Sequence, residues 1–107
     1  MKLEKELVGA SSMPLVLAVL AEGDNYGYAI IRRVKELSGG KIEWSTGTLY
    51  PVLHWLEHRR LVRSRWTKAE SGRKRKYYSL QPHGRRTLQQ QKEQWTLVAF
   101  TLEQLWK

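Results

Sequence analysis

A chain of 107 residues holds one domain with one core rather than two. Its 41% hydrophobic content predicts a folded protein, and the lack of cysteine removes disulfides, thiol catalysis and most structural zinc sites, in keeping with a reducing cytoplasm. The net charge is +9, and residues 59–86 hold 11 of the 19 Lys and Arg with a single acid, Glu70, so the excess charge is concentrated where it can act on a polyanion.

Residues 3–8 read as a short helical arm with Leu3, Leu7 and Val8 on its apolar face, weakened at Gly9. Ser11 or Ser12 then serves as an N-cap, with Pro14 in the first turn of a helix reaching Glu22. Leu15, Val16, Leu17, Val19 and Leu20 make that helix apolar nearly all round, so it is expected to be buried on several sides. Its apolar run, Met13 to Ala21, is shorter than the roughly 20 residues a bilayer span needs, and no membrane partner is expected. The acidic Glu4 and Glu6 before the run do not suit a signal peptide.

Gly23-Asp24-Asn25 breaks the chain, and Tyr26, Ile30, Val34 and Leu37 mark a second helix over about 26–38. Gly39-Gly40 ends it. Ser45 is a good N-cap for a third helix over about 46–60, which buries Leu49, Val52 or Leu53, and Leu56, and which contains Pro51. Residues 61–66 and 76–80 are short and β-prone, and the polar stretch Thr67 to Arg75 between them makes an antiparallel hairpin with a long basic tip. Gln81-Pro82 opens a final helix with Leu88, Trp95, Val98, Leu102 and Leu105 along one stripe.

The order helix, helix, helix, hairpin, helix predicts a mainly α chain with a β-hairpin wing (α+β), that is, a winged helix-turn-helix over 1–81 and a long C-terminal dimerisation helix over 82–107. In this arrangement the second helix crosses the DNA backbone and the third offers its N-terminal residues to the major groove. Ser45, Thr46, Thr48 and Tyr50, with His54 one turn on, are the candidate groove residues, because hydroxyls bond phosphate oxygens and base edges and a helix N-terminus favours a phosphate. Simple capping by Ser45 is the competing reading. Arg73-Lys74-Arg75-Lys76 place four consecutive cations at the hairpin, where they repel one another in the free protein and are favourable against a phosphodiester backbone. Tyr77 and Tyr78 face opposite ways, one toward the core.

The final helix cannot bury its stripe on so small a body, so Trp95, Val98, Leu102, Leu105 and Trp106 are expected to form a seam with a second copy of the chain. His54 and His58 are one turn apart, but no third ligand follows, and there is no phosphate loop or nucleophile motif; neither an enzyme, a metal nor a cofactor is expected.

Gly23-Asp24-Asn25-Tyr26-Gly27-Tyr28-Ala29-Ile30, then Gly47-Thr48-Leu49-Tyr50-Pro51-Val52-Leu53 with Leu56-Glu57, then Gly72-Arg73-Lys74-Arg75-Lys76-Tyr77-Tyr78-Ser79-Leu80 with Gly84 resemble three motifs of the PadR family in the right order. The resemblance covers roughly residues 7–106, includes Pro51, and is to the short subfamily whose single C-terminal helix builds a dimer, similar to multidrug-responsive members. It implies a homodimeric transcriptional regulator of a double-stranded DNA operator, with Tyr26 among the DNA-contacting residues. It also implies that Leu7, Ala10, Met13, Trp95, Val98 and Ala99 line a space for a small planar aromatic or phenolic effector; Ala99 stands where a multidrug-responsive member has an acid. The competing classes are a winged-helix module that binds RNA or protein, and a protein that sequesters small molecules.

Overall fold

The computed structural model describes residues 1–107. Its first helix, α1, runs unbroken over Lys5–Glu22, so the expected arm and the expected helix after Ser11 or Ser12 are one element. The serines do not cap. Ser11 Oγ donates to Leu7 O at 2.6 Å and Ser12 Oγ to Gly9 O at 3.0 Å, so each hydroxyl bonds back onto its own helix instead of starting a new one. Pro14 accordingly lies inside α1 and not in a first turn. It has no N–H for the carbonyl of Ala10.

Strand β1 is the two-residue Asn25–Tyr26, followed by α2 (Gly27–Leu37), α3 (Thr46–His58), β2 (Val62–Lys68), β3 (Lys74–Leu80) and α4 (Pro82–Leu105). The sheet order is β1-β3-β2, with both pairings antiparallel. The hairpin strands are longer than expected, because pairing runs from Val62↔Leu80 out to Lys68↔Lys74. The tip is short: Ala69 N–H donates to Arg73 O and Gly72 N–H to Ala69 O, both at 2.8 Å, with Gly72 in the left-handed region at φ 85°.

One core joins the elements. Val16, Leu17, Val19 and Leu20 of α1 pack with Ile30 and Val34 of α2 and with Leu49, Leu53 and Leu56 of α3. Trp44, Leu61, Val62, Tyr78 and Leu80 close it from the loop and hairpin side. Leu37, expected on the buried stripe, is 63% exposed, since the stripe of α2 drifts off the core at its last turn. Tyr78 is the core member of the tyrosine pair and Tyr77 is half-buried.

Helix α3 ends at His58, two residues before the expected boundary, with Arg60 left-handed at φ 61° and Leu61 N–H donating to Leu56 O at 2.9 Å, a Schellman-type stop. Helix α4 starts against that junction: Gln81 N–H donates to Leu61 O at 3.0 Å, and Gly84 is buried where a Cβ would lie 2.7 Å from Leu80 Cδ1 and collide with the Leu61 carbonyl. Its first half packs on α1 and its second half projects, so the molecule measures 54 × 31 × 20 Å with a radius of gyration of 15.0 Å, against about 13 Å for a compact domain of this size. No helix is long and apolar enough to cross a membrane.

Candidate nucleic-acid interface

The N-terminus of α3 is built by its own cap. Ser45 is extended at φ −89°, ψ 168°, and its Oγ accepts from Thr48 N–H at 3.2 Å while standing 3.2 Å from Thr48 Oγ1. The two hydroxyls are thus occupied with each other, and the capping role expected as the alternative for Ser45 is present. Thr46 and Gly47 are exposed in the first turn, where N–H groups lack intrahelical acceptors.

The expected groove residues do not share one face. Leu49, Leu53 and Leu56 set the inward side of α3. At 100° per residue the opposite ridge is Gly47, Pro51, His54 and His58, all exposed. Thr48 points away from Tyr50 and lines a cleft beside Lys41 and Trp44. Tyr50 is half-buried and packs on α2, where any Cβ on Gly27 would meet its hydroxyl and lie 2.9 Å from its Cζ. His54 thus lies on the exposed ridge of α3, with Tyr50 on one flank and Thr48 on the other. Gly47 and Pro51 belong to that ridge and were legible only through helix phase, because neither carries a polar group.

Beside Tyr50 lies a basin lined by Tyr26, Tyr28, Arg32, Trp66 and the four wing cations Arg73, Lys74, Arg75 and Lys76. Strand β1 assembles it. Pairing Tyr26 with Tyr77 brings their rings edge to face at 5.4 Å, and it sets the Arg75 guanidinium 4.4 Å from the Tyr26 ring centroid. Arg32 Nη2 donates to the Tyr26 hydroxyl at 3.1 Å. That hydrogen bond, with the charges of Arg32, Arg75 and Arg73, holds the Tyr26 phenol below its ordinary pKa. Trp66, 66% exposed with Lys76 Nζ 6.0 Å from its ring centroid, joins the same surface.

Three cations are ion-paired within the chain. Arg33 is bound to Glu22 at 2.8 Å and Glu36 at 3.2 Å, Lys35 to Glu43 at 2.9 Å, and Arg65 to Asp24 at 2.8 Å. Asp24 is held below the usual carboxylate range by the neighbouring Ser79 hydroxyl and by Arg65. Arg73, Lys74, Arg75 and Lys76 have no carboxylate partner. No three His, Cys, Asp or Glu side chains group to hold a metal ion.

Residues 16–90 match the model of the transcriptional regulator PadR-like family. This chain belongs to the PadR-like family of transcriptional regulators. A transcriptional regulator from Clostridium thermocellum superposes with a TM-score of 0.87 at 25% identity over 98% of this chain and 99% of that one. A PadR family transcriptional regulator from Eggerthella lenta DSM 2243 gives 0.76 at 34% identity, covering 94% and 85%. Transcriptional regulator YqjI of Escherichia coli (strain K12) is 29% identical over 84 residues, 78% of this chain and 39% of that protein, so the chain spans well under half of this curated relative.

The PadR-like chain splits the residues expected around an effector. Leu7 and Trp95 line one apolar groove of about 390 Å³ between α1 and α4, floored by Leu15 and Leu88, and Trp95 Nε1 donates to Gln91 Oε1 at 3.1 Å. Ala10 and Met13 line a different groove with Pro51, Val52 and Trp55, because they sit on another face of α1. Val98 and Ala99 are exposed on the projecting half of α4 and line neither. Within one chain the six do not form one space. Val98, Leu102, Leu105 and Trp106 are 54%, 38%, 78% and 69% exposed, so nothing in a single chain covers the expected seam.

Proposed function

We propose that this PadR-like protein is a homodimeric repressor that binds a roughly palindromic operator in double-stranded DNA and is released by a planar aromatic small molecule. The observation that carries the DNA reading is the run of four consecutive cations that the hairpin holds at one basin with no carboxylate partner. Arg33, Lys35 and Arg65 are neutralised within the chain, whereas Arg73, Lys74, Arg75 and Lys76 are not. Unpaired charges held on a rigid hairpin suit phosphate oxygens. Beside them the ridge of Gly47, Pro51 and His54 enters the major groove, and Thr46 at the helix tip meets a phosphate. Ser45 and Thr48 act by holding the cap. Tyr26 and Tyr50 line the basin between the two contact regions.

Residues 1–81 form the DNA-binding unit and 82–107 the dimerisation helix. Pairing two copies through Val98, Leu102, Leu105 and Trp106 covers the exposed apolar half of α4 and sets two recognition helices about 34–36 Å apart. The same pairing brings the separated effector residues of two chains toward one another, with Trp95 offering a flat stacking surface.

The test is enrichment of genomic fragments on the protein followed by footprinting, with His54→Ala as the probe of groove contact. Specific protection of two half-sites, weakened by His54→Ala more than binding to random duplex, supports the reading. Preference for RNA, or no sequence preference at all, overturns it.

A further inference from the structure

Trp66 is 66% exposed, although a tryptophan carries one of the largest apolar surfaces a chain can bury. Its place in the hairpin explains why nothing covers it. Val62, Ser64, Trp66 and Lys68 alternate onto one face of β2, opposite Leu80, Tyr78, Lys76 and Lys74 of β3. Val62, Tyr78 and Leu80 of that face are buried in the core, so the Trp66–Lys76 pair is the first beyond it and the Lys68–Lys74 pair the next. The core face of the hairpin thus runs out past the body and ends in an indole among the ammonium groups of Lys68, Lys74 and Lys76, none of which has a carboxylate partner. Lys76 Nζ stands 6.0 Å from the Trp66 ring centroid and 5.7 Å from that of Tyr78, at the outer limit of a cation–π contact. The indole borders two hollows, the basin beside Tyr50 and a second of about 400 Å³ with Thr67, Lys68 and Lys74.

An apolar plate set among cations fits a partner with phosphates on either side of an apolar wall. The groove of a nucleic acid is such a surface, with phosphates at its edges and deoxyribose and base edges between them. We infer that Trp66 is the apolar anchor of the wing on duplex DNA. Its indole packs on deoxyribose and base edges, with Lys76 on the phosphate to one side and Lys68 and Lys74 on the phosphates to the other. This contact, which rests on the DNA-binding reading, is one that charge does not supply. The wing cations answer to any polyanion, whereas the indole answers only to one with sugars and bases. Covering an indole on binding contributes the same free energy at any salt concentration, because no counterion is released with it. If Trp66 only oriented Lys76, its loss would remove a phosphate contact and flatten the salt dependence.

The test compares Trp66→Gln with the parent on a labelled random-sequence duplex and on linear polyphosphate, which has phosphates without sugars or bases, each over a salt series. Duplex affinity should fall about tenfold at every salt concentration. The slope of log K against log salt should stay unchanged, and polyphosphate affinity should not move. Trp66→Phe, which keeps an aromatic face, should recover most of the loss. In the parent labelled with 5-fluorotryptophan, the fluorine resonance of Trp66, assigned by Trp66→Phe, should shift more on adding duplex than on adding polyphosphate. That readout stands even if Trp66→Gln folds poorly. Parent-like duplex affinity of Trp66→Gln, an equal loss on polyphosphate, a flattened slope, or a Trp66 resonance that duplex does not move overturns the inference. Duplex binding without sequence preference, but with the tenfold loss intact, defeats the repressor reading alone. Specific operator binding that Trp66→Gln leaves unchanged defeats this one alone.

Discussion

Replacing Arg73, Lys74 and Arg75 together by Gln removes three adjacent unpaired charges from the hairpin. Each phosphate contact contributes about 0.9 to the slope of log K against log salt, so three lost contacts flatten the slope by up to about 2.7. Between 50 and 200 mM salt the parent should then lose about fortyfold more affinity than the variant. The structure refines this. Arg73 and Lys74 are exposed and should act through charge alone. Arg75 lies 4.4 Å over Tyr26, so Arg75→Gln should also loosen the basin and let the Tyr26 phenol return toward its ordinary pKa. Arg65→Gln is the internal control. Its guanidinium is held by Asp24 and Ser79, both at 2.8 Å, so its removal should leave the salt slope nearly unchanged. Fluorescence anisotropy of a labelled random-sequence duplex over a salt series measures every slope without knowledge of the operator. A triple variant with the parent's slope, or an Arg65 variant that flattens it as much as the wing does, would refute the reasoning.

Four further outcomes are expected. Tyr78 is 1% exposed with an unpaired hydroxyl, so Tyr78→Phe should stabilise the fold by about 1 kcal/mol in denaturant melts at neutral pH. Burial, with the charge of Glu57, pushes the Tyr78 phenol up to about 12, whereas the unfolded phenol ionises near its ordinary value of about 10. The unfolded state therefore sheds its proton first, and the parent should lose stability as pH rises from about 10 toward 12, a loss that Tyr78→Phe removes. Gly84→Ala forces a Cβ onto the Leu61 carbonyl, which cannot rotate away, and should destabilise by about 3 kcal/mol or displace α4; an unchanged melting midpoint would disprove the close approach. Arg60→Gly relieves the left-handed backbone at φ 61° and should raise stability by about 1 kcal/mol. Truncation after Gln90 removes Trp95, Val98, Leu102 and Leu105 and should convert a dimer to monomers in analytical ultracentrifugation; a full-length monomer at micromolar concentration contradicts the proposed assembly.

Several features were local enough to be read without coordinates. The Ser45 cap, the breaks at Gly23 and Gly39-Gly40, the burial of Leu49, Leu53 and Leu56, and the start of α4 at Pro82 each depend on residues within one or two turns. The concentration of Lys and Arg in residues 59–86 is likewise a property of the chain, and it pointed to the wing. The tertiary structure decided what depends on partners distant in sequence. Strand β1 has two residues, too few for any period, and exists because β3 pairs with it. Helix α1 is continuous because its serines find acceptors within the helix and its apolar face has a core to enter, which no capping rule registers. Arg65 is silenced by Asp24 across 41 positions, while its neighbours on the hairpin stay free. Helix phase sends Thr48 and Tyr50 to opposite sides of α3, and helix packing then turns one into the cleft beside Lys41 and Trp44 and the other against Gly27. Composition could identify which residues carry charge and hydroxyl groups. Only long-range packing could determine which of them are left unpaired, and those are the residues available to a ligand.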